Sequence, residues 1–400
     1  MSRGGRIDFD RLEAANRPLN AFTTFDRAAR FGAGPLAGVT VGVKANIAVV
    51  GLPWTAGMAL HRDRVAERDA ATVAALRAAG AAILGMVNME EAALGAKTDN
   101  PFFGATHNPH RIGFTPGGSS GGSGAAVAAG LCDLALGTDT MGSVRIPASY
   151  CGVYGFKPAQ SAVSRDGLEL AEPALDVIGP IARSLDLLER AARLTSAFGE
   201  AALPGRPVTL AGLAGVECTA DVLAAHARAC ALLDMGPAAS LTDSPSRIRY
   251  AGFIATARAL SAELAGVPAD ALSPALTHLI AYGPRRKPAD LAADAAVLAR
   301  GAERLTAIVT TQGPLILPTT PQPAFAHSDP APANQADFTC LANVADLPAI
   351  TLPAGLSADG LPIGVQVIGP RGAEAGLFAL ARQLDAGLAA YRQPTPFYHG

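Results

Sequence analysis

Two serine-bearing, glycine-rich turns flank one short apolar segment: Gly117-Gly118-Ser119-Ser120-Gly121-Gly122-Ser123 on one side and Asp139-Thr140-Met141-Gly142-Ser143 on the other. Far upstream, Lys44 ends the run Gly38-Val39-Thr40-Val41-Gly42-Val43, which carries no other charge. Glycine lets a backbone approach a ligand closely, and side chains on such turns are held by a rigid scaffold while the tip stays open. A lysine taken out of water has its pKa lowered, because burial disfavours the charged form, and its neutral amine can then accept a proton near neutrality. Two serines and a lysine in this arrangement are suited to acyl transfer, in which a hydroxyl is activated by a neighbouring base.

Other readings of the same residues compete. A Gly-Ser loop is often a plain turn or linker. A phosphate loop would need a Gly-Lys-Ser/Thr ending, which is missing, and no acidic partner completes a dinucleotide fingerprint. Gly117-Gly118-Ser119-Ser120-Gly121 satisfies the Gly-x-Ser-x-Gly nucleophile elbow, which would make Ser119 the nucleophile with a downstream histidine. Phe114-Thr115-Pro116 breaks the strand that an elbow requires, and His278, His327 and His399 stand in no recognisable catalytic setting. His107-Asn108-Pro109-His110 has loose metal-like spacing, better read as loop histidines. Lysines at strand ends are usually surface residues. The absence of other charge in its run and the two serine turns set Lys44 apart.

The turns need elements to hold them. Asp69 as N-cap, an Ala-rich helix over 70–80 and a glycine stop separate strands over 39–44 and 82–87, a βαβ pattern that favours an α/β fold. A short helix over 124–130 starts at the first serine turn, and Leu134–Thr138 reads as the strand that leads to the second. Helical stretches over 221–233, 252–264 and 290–308 suggest a helical insertion or cap across 205–312, after which strands return near 315–318, 348–352 and 363–368. Half of the 400 residues are hydrophobic and 16% charged, enough apolar surface to bury a wide sheet on both faces. A formal charge of −2 without runs of one sign argues against nucleic acid or membrane as partners. Met1-Ser2-Arg3-Gly4-Gly5-Arg6-Ile7-Asp8 lacks the apolar core of a secretion leader, so a cytoplasmic protein is expected. Cys132, Cys151, Cys218, Cys230 and Cys340 form no Cys-x-x-Cys pair and read as reduced, mostly buried residues, Cys151 included despite its nearness to Ser143.

Taken together, these residues resemble the amidase signature family. Val43-Lys44, residues 117–123, residues 137–148 and Gly155-Phe156-Lys157-Pro158 carry the resemblance. Asn88-Met89-Glu90-Glu91, Pro318-Thr319-Thr320-Pro321 and Gly360-Leu361-Pro362-Ile363-Gly364-Val365-Gln366 extend it in the same order. It spans 35–195 and 315–385 and leaves the helical middle unmatched. The resemblance implies one amidase domain over 1–400, an α/β/α sandwich with a large central mixed β-sheet flanked by helices. It implies Ser143 as nucleophile, Ser119 as a cis-serine relay after Gly118, and Lys44 as base. Backbone N–H groups of Thr140, Met141, Gly142 and Ser143 would face the oxyanion, and Gly118, Ser120, Asp139 and Arg145 would contact substrate, with Arg145 alternatively pairing with Asp139. Neither metal nor cofactor is implied. Two departures stand out: Met141 replaces the family's usual glycine, as a bulkier residue does in a branch similar to indoleacetamide hydrolases, and Lys44-Ala45-Asn46 lacks the acid of the common Lys-Asp-Asn.

The expected activity is hydrolysis of a small carboxylic amide to ammonia or an amine and a carboxylate. A glutaminase (A-type) subunit of a tRNA-dependent amidotransferase is the alternative, with the same triad passing ammonia to a partner chain. A non-catalytic interaction protein on the same fold is a third. Trp54, Met58, Phe102, Phe103 and Met141 are candidates to line an apolar pocket, and a homodimer is one way an open site would be closed.

Overall fold

The computed structural model describes residues 7–395; residues 1–6 and His399, both named above, lie outside that range. Nine strands form one sheet: β1 (Phe22–Phe25), β2 (Thr40–Lys44), β3 (Ala82–Val87), β4 (Leu134–Asp139), β5 (Tyr154–Lys157), β6 (Val177–Ala182), β7 (Leu315–Pro318), β8 (Ala349–Leu356) and β9 (Pro362–Ile368). Their order across the sheet is β1-β3-β2-β4-β6-β5-β8-β9-β7. β2 lies parallel to both β3 and β4, and every other neighbouring pair is antiparallel, so the sheet is mixed. β3 and β4 are buried along their whole length, which explains why they read as unbroken apolar runs instead of alternating ones.

Side chains of successive strand residues point to opposite faces. Val41, Val43, Ile83, Leu134 and Leu136 fill one face against Val73 and Leu76 of the helix Ala71–Ala78. Leu84, Val87 and Ala135 fill the other against Ala125 and Val127 of the helix Gly121–Ala128. Gly42 and Lys44 have the parity of that second face, the one on which the helix after the first serine turn packs. Parallel pairing puts the carboxyl ends of β2, β3 and β4 at one edge, where open α/β sheets bind their ligands. Lys44, Asn88 and Asp139 thus end or follow neighbouring strands at the same edge.

Several boundaries differ from the sequence reading. Asp69 does not cap the helix Ala71–Ala78: Ala70 holds the N-cap position, and the Asp69 carboxylate accepts from Val50 N and pairs with Arg77. The helix expected over 124–130 begins at Gly121, so the serine turn is its first turn. In the helical middle the long helices are Ala220–Ala231, Pro245–Glu263 and Pro288–Thr311; Ser244 caps the second by accepting from Arg247 N, and the prolines that open the last two supply a fixed φ. The last two of these helices pack on β7, β8 and β9 through one apolar cluster that joins Ile248, Val297 and Leu305 to Leu315, Leu317, Ala349 and Ile368, whereas Val222, Ala225 and Ala229 of Ala220–Ala231 belong to the cluster that holds Ile316, Val365 and Val367. Among the described residues no helix is long and apolar enough to cross a membrane.

The helix Gly121–Ala128 approaches the β1 and β3 ends so closely that a Cβ on Gly122 would lie 2.5 Å from Asn88 N and 2.7 Å from Ala21 O. Gly122→Val must push the helix and its serine turn away from the sheet, and is expected to destabilise the fold by about 1–3 kcal/mol, measured as a lower denaturant midpoint.

Candidate active site

Lys44 is 0% exposed. Its Nζ donates to Ser119 Oγ at 2.7 Å and to Thr138 Oγ1 at 2.7 Å, so two of its three protons have hydroxyl acceptors when it is charged. Burial lowers its pKa from 10.5 to about 7, against the opposing pull of Asp176, Asp139 and Glu90. A substantial neutral fraction therefore exists near neutrality, which is what a proton acceptor for a hydroxyl requires.

The first serine turn is held from several sides. The Gly118–Ser119 peptide is cis. A Cβ on Gly118 would lie 2.7 Å from the Ala96 carbonyl carbon, so only glycine fits against that backbone. Thr98 Oγ1 donates to Gly117 O at 2.8 Å and accepts from Gly121 N at 3.0 Å, bridging the two ends of the turn. Ser119 O accepts from Glu90 N at 3.0 Å. Ser120 Oγ donates to Thr138 O at 3.1 Å and accepts from Thr138 N at 3.2 Å, and Ser123 Oγ donates to Leu136 O at 3.1 Å. Two of the three serines thus stitch the helix to β4, and Ser119 is left to face Lys44.

β4 ends in Asp139, and the second turn is folded around this carboxylate. Asp139 accepts from Gly142 N at 2.7 Å, from Val144 N at 3.2 Å, from Arg145 Nε and Nη2 at 3.0 and 2.9 Å, and from Asn343 Nδ2 at 2.9 Å. Burial alone would raise its pKa, but Arg145, Lys157 and Asn343 hold it at about 2. Arg145 is itself fully buried and donates in addition to Gln366 Oε1 from Nη1 and to Asn343 Oδ1 from Nη2. Ser120, Asp139 and Arg145, expected to contact substrate, are thus completely enclosed with their polar atoms committed to the two turns, and Arg145 takes the pairing with Asp139 that was its other expected role. Breaking such a buried pair leaves an uncompensated charge, which is why the turn is rigid.

Ser143 follows Gly142 and remains partly exposed. Its Oγ has no hydrogen-bond partner among the described residues, and none joins it to Ser119. The two turns are nevertheless packed together, since a Cβ on Gly117 would stand 3.1 Å from Pro147 Cα in the helix that follows Ser143. Of the four expected oxyanion donors, Gly142 N–H is given to Asp139, whereas the N–H groups of Thr140, Met141 and Ser143 have no partner among the described residues. Thr140 Oγ1 donates to Asp176 Oδ1 at 2.5 Å and Thr339 Oγ1 donates to Met141 O at 2.7 Å, which fixes the peptide planes between them.

Sequence reasoning gave no role to Thr138, Asp176 and Asn343, which entered only as residues of the resemblance, and missed Thr339; their types are ordinary for strands and turns, and their partners lie well away in the chain. Glu90 stands out in the sequence only as part of a motif. Its carboxylate is held by Thr98 N in the loop over 95–99, and burial raises its pKa to about 7. Cys151 is no candidate nucleophile: it is fully buried, and burial pushes its thiol far above the usual range. His327 bonds Thr106 O and His110 bonds Cys151 O, both in loops away from Lys44. Among the pocket candidates, Trp54 is stacked by Arg64, Phe103 by Arg62, and Met141 packs beside Gly252.

A family model described as Amidase matches residues 10–201 and 231–378. The A-type subunit of the glutamyl-tRNA(Gln) amidotransferase of Salinibacter ruber is 43% identical over 190 residues, which is 44% of this chain and 37% of that relative, so the matched stretch spans well under half of the relative's length. Among solved structures, a chain from the vestigial protein complex that revealed the origins of an s-triazine catabolic enzyme has a TM-score of 0.88 at 29% identity, covering 96% of this chain and 94% of that one. The structure of 6-aminohexanoate cyclic dimer hydrolase with its substrate has a TM-score of 0.84 at 27% identity, covering 98% and 96%.

The site itself is testable before any reaction is known. In protein labelled with 13C-lysine, the Lys44 signal, identified by its loss in Lys44→Met, is expected to titrate near pH 7. Because the Glu90 carboxylate favours the charged amine, Glu90→Gln is expected to move that midpoint to lower pH.

Proposed function

The chain belongs to the amidase family, and we propose that it hydrolyses the C–N bond of a small carboxylic amide through an acyl-enzyme on Ser143. The observation that carries this reading is the fully buried Lys44 within 2.7 Å of Ser119 Oγ, on a turn packed against the one that bears Ser143. Neutral Lys44 accepts the Ser119 proton as Ser119 accepts that of Ser143, and the Ser143 oxygen attacks the amide carbon. The developing oxyanion is met by the unpaired N–H groups of the second turn, each such donor being worth about 3 kcal/mol of transition-state stabilisation. Ser119 then returns a proton to the leaving nitrogen as the C–N bond breaks, and Lys44 restores it. Water attacks the acyl-enzyme by the same relay and releases the carboxylate. Neither of the two serines can serve this route without a base, and among the described residues no histidine stands near them to replace Lys44.

A second reading is favoured by the relatives named as A-type chains of glutamyl-tRNA(Gln) amidotransferase, eight of which are 42–52% identical over their matched stretches. In that reading the same residues act on glutamine and deliver ammonia to a partner chain. The third reading, a fold kept for interaction alone, gives no reason to bury a lysine against two hydroxyls at the cost of its solvation.

Ammonia and amine release from aryl, alkyl and dicarboxylic monoamides and from glutamine separates the readings. Turnover of a simple amide by the isolated chain supports hydrolysis, and turnover of glutamine only with a co-purified partner supports the amidotransferase reading. In either case Ser143→Ala is expected to lower kcat by about 10⁴-fold or more. A dead Ser119→Ala beside an active Ser143→Ala would restore the elbow reading. The wild-type kcat/KM is expected to rise with pH through about 7, because the base must be neutral and Lys44 loses its proton there.

A further inference from the structure

The antiparallel register of β4 and β6 pairs Asp139 with Val177, so Asp176, the residue before β6, comes opposite the start of the second serine turn. Asp176 is 2% exposed, and its carboxylate receives three hydrogen bonds. Oδ1 accepts from Thr140 Oγ1 at 2.5 Å, and Oδ2 accepts from Ala171 N at 2.5 Å and from Glu172 N at 3.0 Å. Asp139 pairs with Arg145, but Asp176 has no ion pair among the described residues. Burial raises its pKa, and the three donors, followed by the charge of Lys44, oppose that rise. A carboxylate enclosed without a contacting cation is expensive, so what it holds together is where its role lies.

Its donors belong to two segments that meet at the reacting groups. Thr140 opens the second serine turn, and its own N–H is one of the unpaired donors there. Ala171 and Glu172 lie in the loop over 169–176. Glu169 of that loop donates its N–H to Asn46 O at 2.9 Å and accepts from Asn46 Nδ2 at 3.3 Å, and Asn46 stands two residues after Lys44. We propose that Asp176 is a positioning residue of this site: its carboxylate fixes Thr140, and with it the oxyanion donors of the second turn, relative to the segment that carries Lys44. This rests on the hydrolase reading above, in which those N–H groups meet the oxyanion. Burial is the largest influence on Lys44 itself; among the carboxylates that oppose it, Asp176 comes first, before Asp139 and Glu90. The two influences are separable, because Thr140 depends on the hydrogen bond and Lys44 on the charge.

The rate at which phenylmethanesulfonyl fluoride modifies Ser143 in the full chain, followed by peptide mass as a function of pH, tests this. Sulfonyl transfer to Ser143 uses the same base and puts developing charge on a sulfonyl oxygen. At pH 9 Lys44, with its pKa of about 7, is largely neutral. There Thr140→Val is expected to slow labelling about 10–100-fold, the loss of one hydrogen bond to a charged group, with the midpoint of the pH profile unchanged. Thr140→Ser, which keeps the hydroxyl, is expected to label at the wild-type rate. Asp176→Asn is expected both to slow labelling at pH 9 and to move the midpoint to lower pH, a shift that a merely structural role would not produce. Wild-type labelling in Thr140→Val, a Thr140→Ser as slow as Thr140→Val, or an unmoved midpoint in Asp176→Asn would overturn the assignment. Failure of the hydrolase reading shows separately, in the wild type, as labelling of Ser119 or of no serine, and overturns this proposal with it.

Discussion

Everything in the site depends on one buried amine. A lysine at the end of a fully enclosed strand loses its hydration, a cost that would normally exclude it from such a place. Here two hydroxyls at 2.7 Å replace part of that shell, and Asp176, Asp139 and Glu90 favour its charge without touching it. The balance leaves the amine close to its titration midpoint at neutral pH, able to hold a proton or give it up. A surface lysine would keep its proton, and a lysine in contact with a carboxylate would keep it more firmly. In this chain Ala45 stands where the family commonly has an acid, and the carboxylates that influence Lys44 come instead from other strands and loops.

The surrounding fold can be understood as what holds two serine turns against that amine. β2 and β4 run parallel and end together, and the helix Gly121–Ala128 brings its first turn to their shared edge. Ser120 and Ser123 tie this helix to β4, while the Asp139–Arg145 pair ties the second turn to Asn343 and to Gln366 on β9. The return of the chain after the helical middle is therefore part of the site: strands and turns beyond residue 315 fix the loop that carries Ser143. A buried ion pair is weak evidence for stability, but here each nitrogen of the guanidinium and both carboxylate oxygens have partners, and the pair favours one loop geometry.

What the sequence made legible follows from how local each signal is. Lys44 could be picked out because it is the lone charge of an apolar run, and the serine turns because glycine crowding is visible without a structure. The βαβ start and the later strands were readable from unbroken apolar runs. Thr138 was not, since a threonine at a strand end is ordinary and its bond to Lys44 spans 94 residues. For Arg145 the sequence left a substrate contact and a pairing with Asp139 both open, because the partners that enclose the pair, Asn343 and Gln366, lie some 200 residues on. β5 and β6 escaped notice because glycine, lysine and proline interrupt the short apolar runs Tyr154–Lys157 and Val177–Ala182, and the helix starts at Pro245 and Pro288 precede the apolar periodicity that marked them. Gly142 was counted among free donors because a backbone N–H gives no sign in sequence of what it already bonds.

The central claim is that Ser143 is the nucleophile and Lys44 its source of basicity. Labelling the intact protein with a small sulfonyl fluoride at pH 8, followed by peptide mapping, addresses it without knowledge of the substrate. The account predicts one modified serine, Ser143, labelled in wild type and lost or greatly slowed in Lys44→Ala. Modification of Ser119 instead, or labelling of Ser143 at an unchanged rate without Lys44, would contradict it.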